Sequence, residues 1–244
     1  LIEDDNFDCG LNNGVNGNLV GSDPNLGVYS LQGYFPLNTG SPAIDAGNNA
    51  TCAAFPVNNQ SQNGVTRPQR SACDIGAFER EASFGSISKW TSALDLSHGW
   101  TVADFARTTG DVDGDGDSDL VGFGLDGVYV ALSNGSSFAP TATKWTSAMD
   151  LSHGWTVKDF VRTVGDVDGD GDADLVGFGL DGVYVVLSNG SNFAPTATKW
   201  TSAFDLSHGW TVTGFVRTLG DVDGDGDADL VGFGLDGVYT AIAQ

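Results

Sequence analysis

Basic residues are scarce in this chain. Ten Lys and Arg stand against 32 Asp and Glu, which leaves a formal charge of −22 over 244 residues. So acidic a surface repels phosphate backbones and anionic headgroups, and this excludes nucleic acid and an anionic membrane as partners. Long apolar runs are missing too: none approaches the roughly 18 residues of a membrane span, so no membrane insertion is expected. Leu1 is not a start methionine and no signal peptide is legible, so a processed chain or a fragment is expected. Helical periodicity is absent, and short apolar pieces between turn residues point to an all-β chain. Histidine is sparse, with three in all and no metal-ligating neighbour close to any of them, which argues against a zinc or catalytic role.

What is abundant is aspartate, and it is concentrated. Asp111-Val-Asp-Gly-Asp-Gly-Asp-Ser-Asp-Leu120 returns as Asp166 to Leu175 and as Asp221 to Leu230, a step of 55 residues each time (166 − 111 and 221 − 166). Trp90, Trp145 and Trp200 keep the same step, as do His98, His153 and His208, and Arg107, Arg162 and Arg217. A fixed period of this length marks a repeat architecture. Each unit holds about four strand-like pieces, the content of one propeller blade.

Five alternating carboxylates per copy repel one another, by about 1 kcal/mol per neighbouring pair in water and several times that near a protein surface. A folded loop that gathers them needs a cation, and a donor set of hard oxygens without cysteine selects calcium or magnesium over zinc. By spacing, Asp111, Asp113 and Asp115 converge, Asp117 offers its backbone carbonyl and Asp119 closes the loop. The equivalents are Asp166, Asp168, Asp170, Asp172 and Asp174, then Asp221, Asp223, Asp225, Asp227 and Asp229. Gly114 and Gly116 permit the tight turn. An EF-hand would need Glu at the twelfth position and a helix after it, but Gly122, Gly177 and Gly232 stand there and strand-like sequence follows. Three calcium ions would bring the net charge to about −16 (−22 + 6).

The run G-D-V-D-G-D-G-D-A-D-L-V-G-F-G followed by G-V-Y-V-x-L-S-N-G resembles the FG-GAP or VCBS repeat, the blade of integrin-like propellers and of propeller lectins. The resemblance implies blades at about 90–144, 145–199 and 200–244, with a calcium loop between strands of each. Rings of this family usually have more than three blades, and 83–89 matches the last strand that the third unit lacks. The expectation is a strand that completes another chain's blade, in a closed ring or an open filament, since heterologous contacts need not close.

Residues 1–82 are different: rich in Asn and Gly, with all three cysteines and five of the seven prolines. Ser41-Pro-Ala-Ile-Asp-Ala-Gly47, Arg67-Pro68 and Cys73-Asp-Ile-Gly-Ala-Phe-Glu79 resemble the C-terminal end of bacterial secreted right-handed parallel β-helix proteins. That resemblance implies the terminal coils or cap of such a helix. Cys52 and Cys73 can close a loop of about 22 residues over it, worth about 3 kcal/mol in the chain-entropy model, which leaves Cys9 unpaired within the chain. Asp45, Arg67 and Asp74 could form an acid/base group, but capping and turn roles suit them better, and no catalytic residue is assigned.

The expected fold is therefore all-β: terminal coils or cap of a parallel β-helix over 1–82, then three four-stranded propeller-type blades over 83–244. In each unit His98 and Trp100, His153 and Trp155, or His208 and Trp210 lie close in sequence. They can pack between blades, or line a sugar-sized pocket as the likeness to propeller lectins implies. The function expected is that of a secreted, calcium-binding structural and adhesion module that associates with other copies of itself. A carbohydrate-binding lectin, and a fragment of a β-helix polysaccharide lyase or hydrolase, are the alternatives.

Overall fold

A computed structural model describes residues 21–84 and 86–244. The chain divides into two units, Leu1–Ile87 and Ser88–Gln244. Cys9 and the apolar pair at 19 and 20 lie outside the described residues.

The first unit is held by side-chain ties more than by strands. One short helix, α1 (Asn49–Ala53), starts where the Asn48 side chain accepts the Thr51 N–H. Cys52 and Cys73 are disulfide-bonded. Buried Arg67 donates from Nη2 to the carbonyls of Gly76 and Phe78, both at 2.7 Å, and pairs with buried Glu79 at 3.3 Å. Asp74 accepts the backbone N–H groups of Asp45 and Arg80. Arg67 and Asp74 are thus occupied as chain ties. The β pairing described in this unit consists of two antiparallel bridges, Leu26 with Leu37 and Gln60 with Thr66. No parallel coil is seen among the described residues.

The second unit is built of antiparallel sheets. The first contains β1 (Arg107–Gly110), β2 (Asp119–Phe123), β3 (Val128–Ala131) and β4 (Thr143–Thr146), paired in that order. The second repeats it with β5 (Val161–Gly165), β6 (Asp174–Phe178), β7 (Val183–Val186) and β8 (Thr198–Thr201). The third has β9 (Val216–Gly220), β10 (Asp229–Phe233) and β11 (Val238–Ala241); of the four strands expected of a blade it is without the last, the one its own sequence lacks. The fourth strand also begins later than expected. Phe193 makes only an isolated bridge to Ser188, and continuous pairing starts at Thr198, beyond Pro195, which has no N–H to donate. Each four-stranded sheet therefore runs past the sequence boundary at 145 or 200.

Apolar residues on both faces bury the middle strands between consecutive sheets. Val121, Phe123, Val128 and Val130 of the first sheet pack with Leu175, Val186 and Phe193 of the second, and Trp145 joins them. Val176, Phe178 and Val183 of the second pack toward Phe204, Leu219 and Leu230 of the third. Phe123 and Phe178 are fully buried, and each contributes roughly 1.5–3 kcal/mol by leaving water. β1, β5 and β9 lie side by side along the stack.

Candidate functional site

Each acidic loop joins the first two strands of a sheet. In the first, Asp111 accepts the N–H groups of Asp115 and Gly116 at 3.2 and 2.8 Å, which draws the chain into a tight turn. Gly114 and Gly116 take left-handed φ of 72° and 93°, costly for any residue with a Cβ. Asp119 opens β2 and is fully buried. Its two oxygens accept the Val112 N–H at 3.0 Å and the Ser133 N–H at 2.7 Å, so it clasps the loop to the end of β3. Asp174 does the same with Val167 and Ser188, and Asp229 with Val222 and Ala243.

Single oxygens of Asp111, Asp113 and Asp115 lie within 4.8 Å of one another, as do those of Asp166, Asp168 and Asp174, and of Asp221, Asp223 and Asp225. Each triad could hold a metal ion. The donor chemistry fits a hard divalent cation, and Asp113 Oδ1 is buried with no hydrogen-bond partner. Burial first, then the neighbouring carboxylates, pushes the Asp113 and Asp168 carboxyls above the usual range. Burial pushes Asp174 up to about 7 in spite of its two N–H donors. Asp170 and Asp119 lie beside the triads of their loops rather than within them, and so does Asp229. Asp172 crosses between repeats: its Oδ1 rests against Gly114 of the preceding loop, and Asp227 rests likewise against Gly169. Asp117 lies beside Gly135, and Asp172 also lies beside the corresponding Gly190.

The second feature recurs on the sheets. Asp95 caps a 3₁₀ turn over Leu96–His98, accepting the His98 N–H, and Gly99 ends the turn at φ 84°. The same carboxylate accepts the Ser97 hydroxyl at 2.6 Å and holds His98 Nδ1 at 2.8 Å, and these bonds, the Ser97 one first, lower its pKa to about 2. An ionised acceptor on Nδ1 places the proton there and leaves Nε2 as the outward nitrogen of an exposed imidazole. Asp150 with His153 and Asp205 with His208 repeat the arrangement at 2.7 and 2.8 Å. Each histidine is thus tied through Nδ1 to the turn that carries it.

Trp100 lies over β2, where Gly122 makes room: a Cβ there would come within 2.7 Å of the indole. Tyr129 stands edge-on to Trp100, with ring centres 5.9 Å apart, and donates its hydroxyl to Asp126 at 2.9 Å. His98, Trp100, Asp126 and Tyr129 line one open cavity of about 430 Å³. His153, Trp155, Asp181 and Tyr184 line a second of about 320 Å³, and His208, Trp210, Asp236 and Tyr239 a third of about 510 Å³. The structure thus brings each predicted His–Trp pair into a pocket on its own sheet. The Tyr and Asp walls were not singled out from sequence, although both keep the 55-residue step.

Residues 111–177 and 166–232 each match the FG-GAP-like repeat. No curated protein matches the chain. Among solved structures, one similar chain is an Agrocybe aegerita lectin that specifically recognises non-reducing terminal N-acetylglucosamine. It is 34% identical with a TM-score of 0.54, and the match covers 60% of this chain and 37% of the lectin. The TcdB2-TccC3-Cdc42 complex gives 18% identity, a TM-score of 0.46, and coverage of 58% and 7%. A Tc holotoxin pore of Photorhabdus luminescens gives 20%, 0.43, and coverage of 57% and 6%. The chain thus spans well under half the length of each of these proteins. The two family matches together take in residues 111–232, half of the sequence, with the acidic loop and its following strands in register: the chain belongs to the FG-GAP-like repeat family.

Proposed function

We propose that the repeats are a carbohydrate-binding adhesion module, with one sugar pocket per repeat and an amino sugar of the N-acetylglucosamine type as the ligand. The observation that carries this reading is the threefold recurrence of one pocket, in which an indole and a phenol ring meet an oriented imidazole and a carboxylate. The flat C–H faces of a pyranose suit the Trp and Tyr rings, and its hydroxyls suit His Nε2 and the carboxylates of Asp126, Asp181 and Asp236. The 34% identity to the Agrocybe aegerita lectin supports the same choice.

In this reading calcium is the cation of the acidic loops, held by the three triads, with Asp119 and Asp229 as clasps beside the ions and Asp174 serving as clasp and ligand together. The ion's role is electrostatic: it neutralises carboxylates that otherwise oppose loop closure. Millimolar calcium and a stable disulfide both belong to an extracellular setting, so we place the chain outside the cell or on its surface. We read residues 21–82 as the end cap of a β-helix and assign no catalysis to the chain. Association between copies completes the adhesion role.

The test is glycan binding by the calcium-loaded chain. Trp100→Ala, Trp155→Ala and Trp210→Ala together should abolish binding to N-acetylglucosamine-terminated glycans. Silence of the folded wild-type chain on a broad glycan array would overturn the sugar reading and leave a purely structural role.

A further inference from the structure

The two ends of the repeat stack are complementary to each other. At both internal boundaries a repeat fits onto the one before it through the same set of contacts. Val164 packs against the bare backbone of Gly110, and Leu219 against Gly165. Arg162 covers the ring of Phe123 at 5.0 Å and Arg217 that of Phe178 at 5.3 Å. The N–H of Ala173 donates to the Asp111 carbonyl, and that of Ala228 to Asp166, both at 2.6 Å. Within each complete sheet, Lys144 of the fourth strand reaches the Asp126 carbonyl, and Lys199 that of Asp181.

The third repeat presents the receiving half of this set with no donor. No described atom lies within 4 Å of a Cβ at Gly220, the counterpart of Gly110 and Gly165, or at Gly237, where the fourth strand would run. Phe233 is 48% exposed, whereas Phe123 and Phe178 are 0% exposed. Asp236 has no lysine partner among the described residues. The first repeat presents the donating half with no receiver: Thr109 stands where Val164 and Leu219 do and is exposed, and so is Arg107. Ser88–Thr91 stand where β4 and β8 do, but pair with no strand among the described residues. Trp90 nonetheless already sits against Phe138 as Trp145 sits against Phe193, with ring centres 5.4 and 5.2 Å apart. Thr91 likewise donates to the Ala139 carbonyl as Thr146 donates to that of Ala194. This segment is held in the pose of a fourth strand whose sheet is elsewhere.

We propose that this sheet is the third sheet of a second copy, so that copies associate head to tail. Ser88–Thr91 of one copy add to β11 of the other, Lys89 meets Asp236, Arg107 covers Phe233, and Thr109 fills the space over Gly220. Extended strands add to open sheet edges through main-chain bonds. The register here is set by side-chain contacts that the same chain already makes twice. The contact joins different faces, so it is heterologous and leaves a donating and a receiving face at the ends of every open assembly.

The test is the mass of the 244-residue chain by light scattering, with single-face variants. Wild type should show masses of at least twice the 25.3 kDa of one chain. Thr109→Trp spoils only the donating face, and Gly220→Trp only the receiving face, both at open positions. Each variant alone should be monomeric, and a 1:1 mixture should give a dimer and nothing larger. Gly237→Trp serves as a second receiving-face variant should Gly220→Trp fail to fold by circular dichroism. Monomeric wild type, a variant that still self-associates, or a mixture of folded variants that stays monomeric would each overturn head-to-tail docking.

Discussion

Trp155 lies so close over Gly177 that a Cβ on the glycine would come within 2.6 Å of the indole. The glycine in β6 is therefore what lets the pocket floor form, and its counterparts Gly122 and Gly232 meet Trp100 and Trp210 in the same way. Gly177→Ala should cost about 1–3 kcal/mol, the usual range for overpacking a filled site. It should also lift Trp155 and weaken sugar binding at that repeat. Urea melts of the single variant give the first quantity, and titration calorimetry with glycan gives the second. A variant as stable as wild type would mean that the indole moves aside at no cost.

Removing calcium should destabilise the repeats, and the loss should depend on pH in a defined direction. In chelator, Asp174 of the folded chain titrates at about 7 because it is buried, whereas an aspartate of an unfolded chain titrates near ~3.9. The folded state therefore keeps a proton that the unfolded state releases. This contribution is full below about 4 and is lost as pH rises through about 7. Asp113 and Asp168, also raised, act in the same direction. Chelated protein should melt higher near pH ~5 than near pH ~7.5, and millimolar calcium should reverse that order because the ion requires deprotonated carboxylates. Asp113→Ala with Asp168→Ala and Asp223→Ala should remove the calcium response. A melting curve indifferent to chelator at every pH would count against an ion in these loops.

The disulfide should matter only to the unit that contains it. Cys52 and Cys73 are 21 residues apart in sequence, and a cross-link of that span contributes about 3 kcal/mol in the chain-entropy model. Replacing both by Ser should lower the melting transition of the first unit and leave the calcium-sensitive transition of the repeats in place. Calorimetry resolves the two. A shift of both transitions together would show that the units melt as one.

Much of the repeat unit was legible before any coordinates. The 55-residue step, the alternating aspartates and the left-handed glycines depend on residues close in sequence, where spacing dictates geometry. The strand-like run that follows each acidic loop, and the pairing of His98 with Trp100, belong to the same class. Misplacement of the fourth strand has a local cause as well, since Pro140 and Pro195 defer pairing to the Lys-Trp-Thr segments.

Other features rest on contacts between residues that sequence keeps far apart. Asp119 resembles a fifth ligand by spacing, yet its two oxygens are engaged by N–H groups of Val112 and of Ser133, 14 residues on. Asp172 belongs by sequence to the second loop and by position also to the first. Tyr129 and Asp126 became pocket walls only when β3 folded back beside β2. By itself the sequence determined that there would be repeated acidic loops on short strands, because those follow from local dihedrals and charge. The tertiary structure decided which carboxylates face one another and which side chains wall the pockets, because both depend on how strands and sheets fold back on one another.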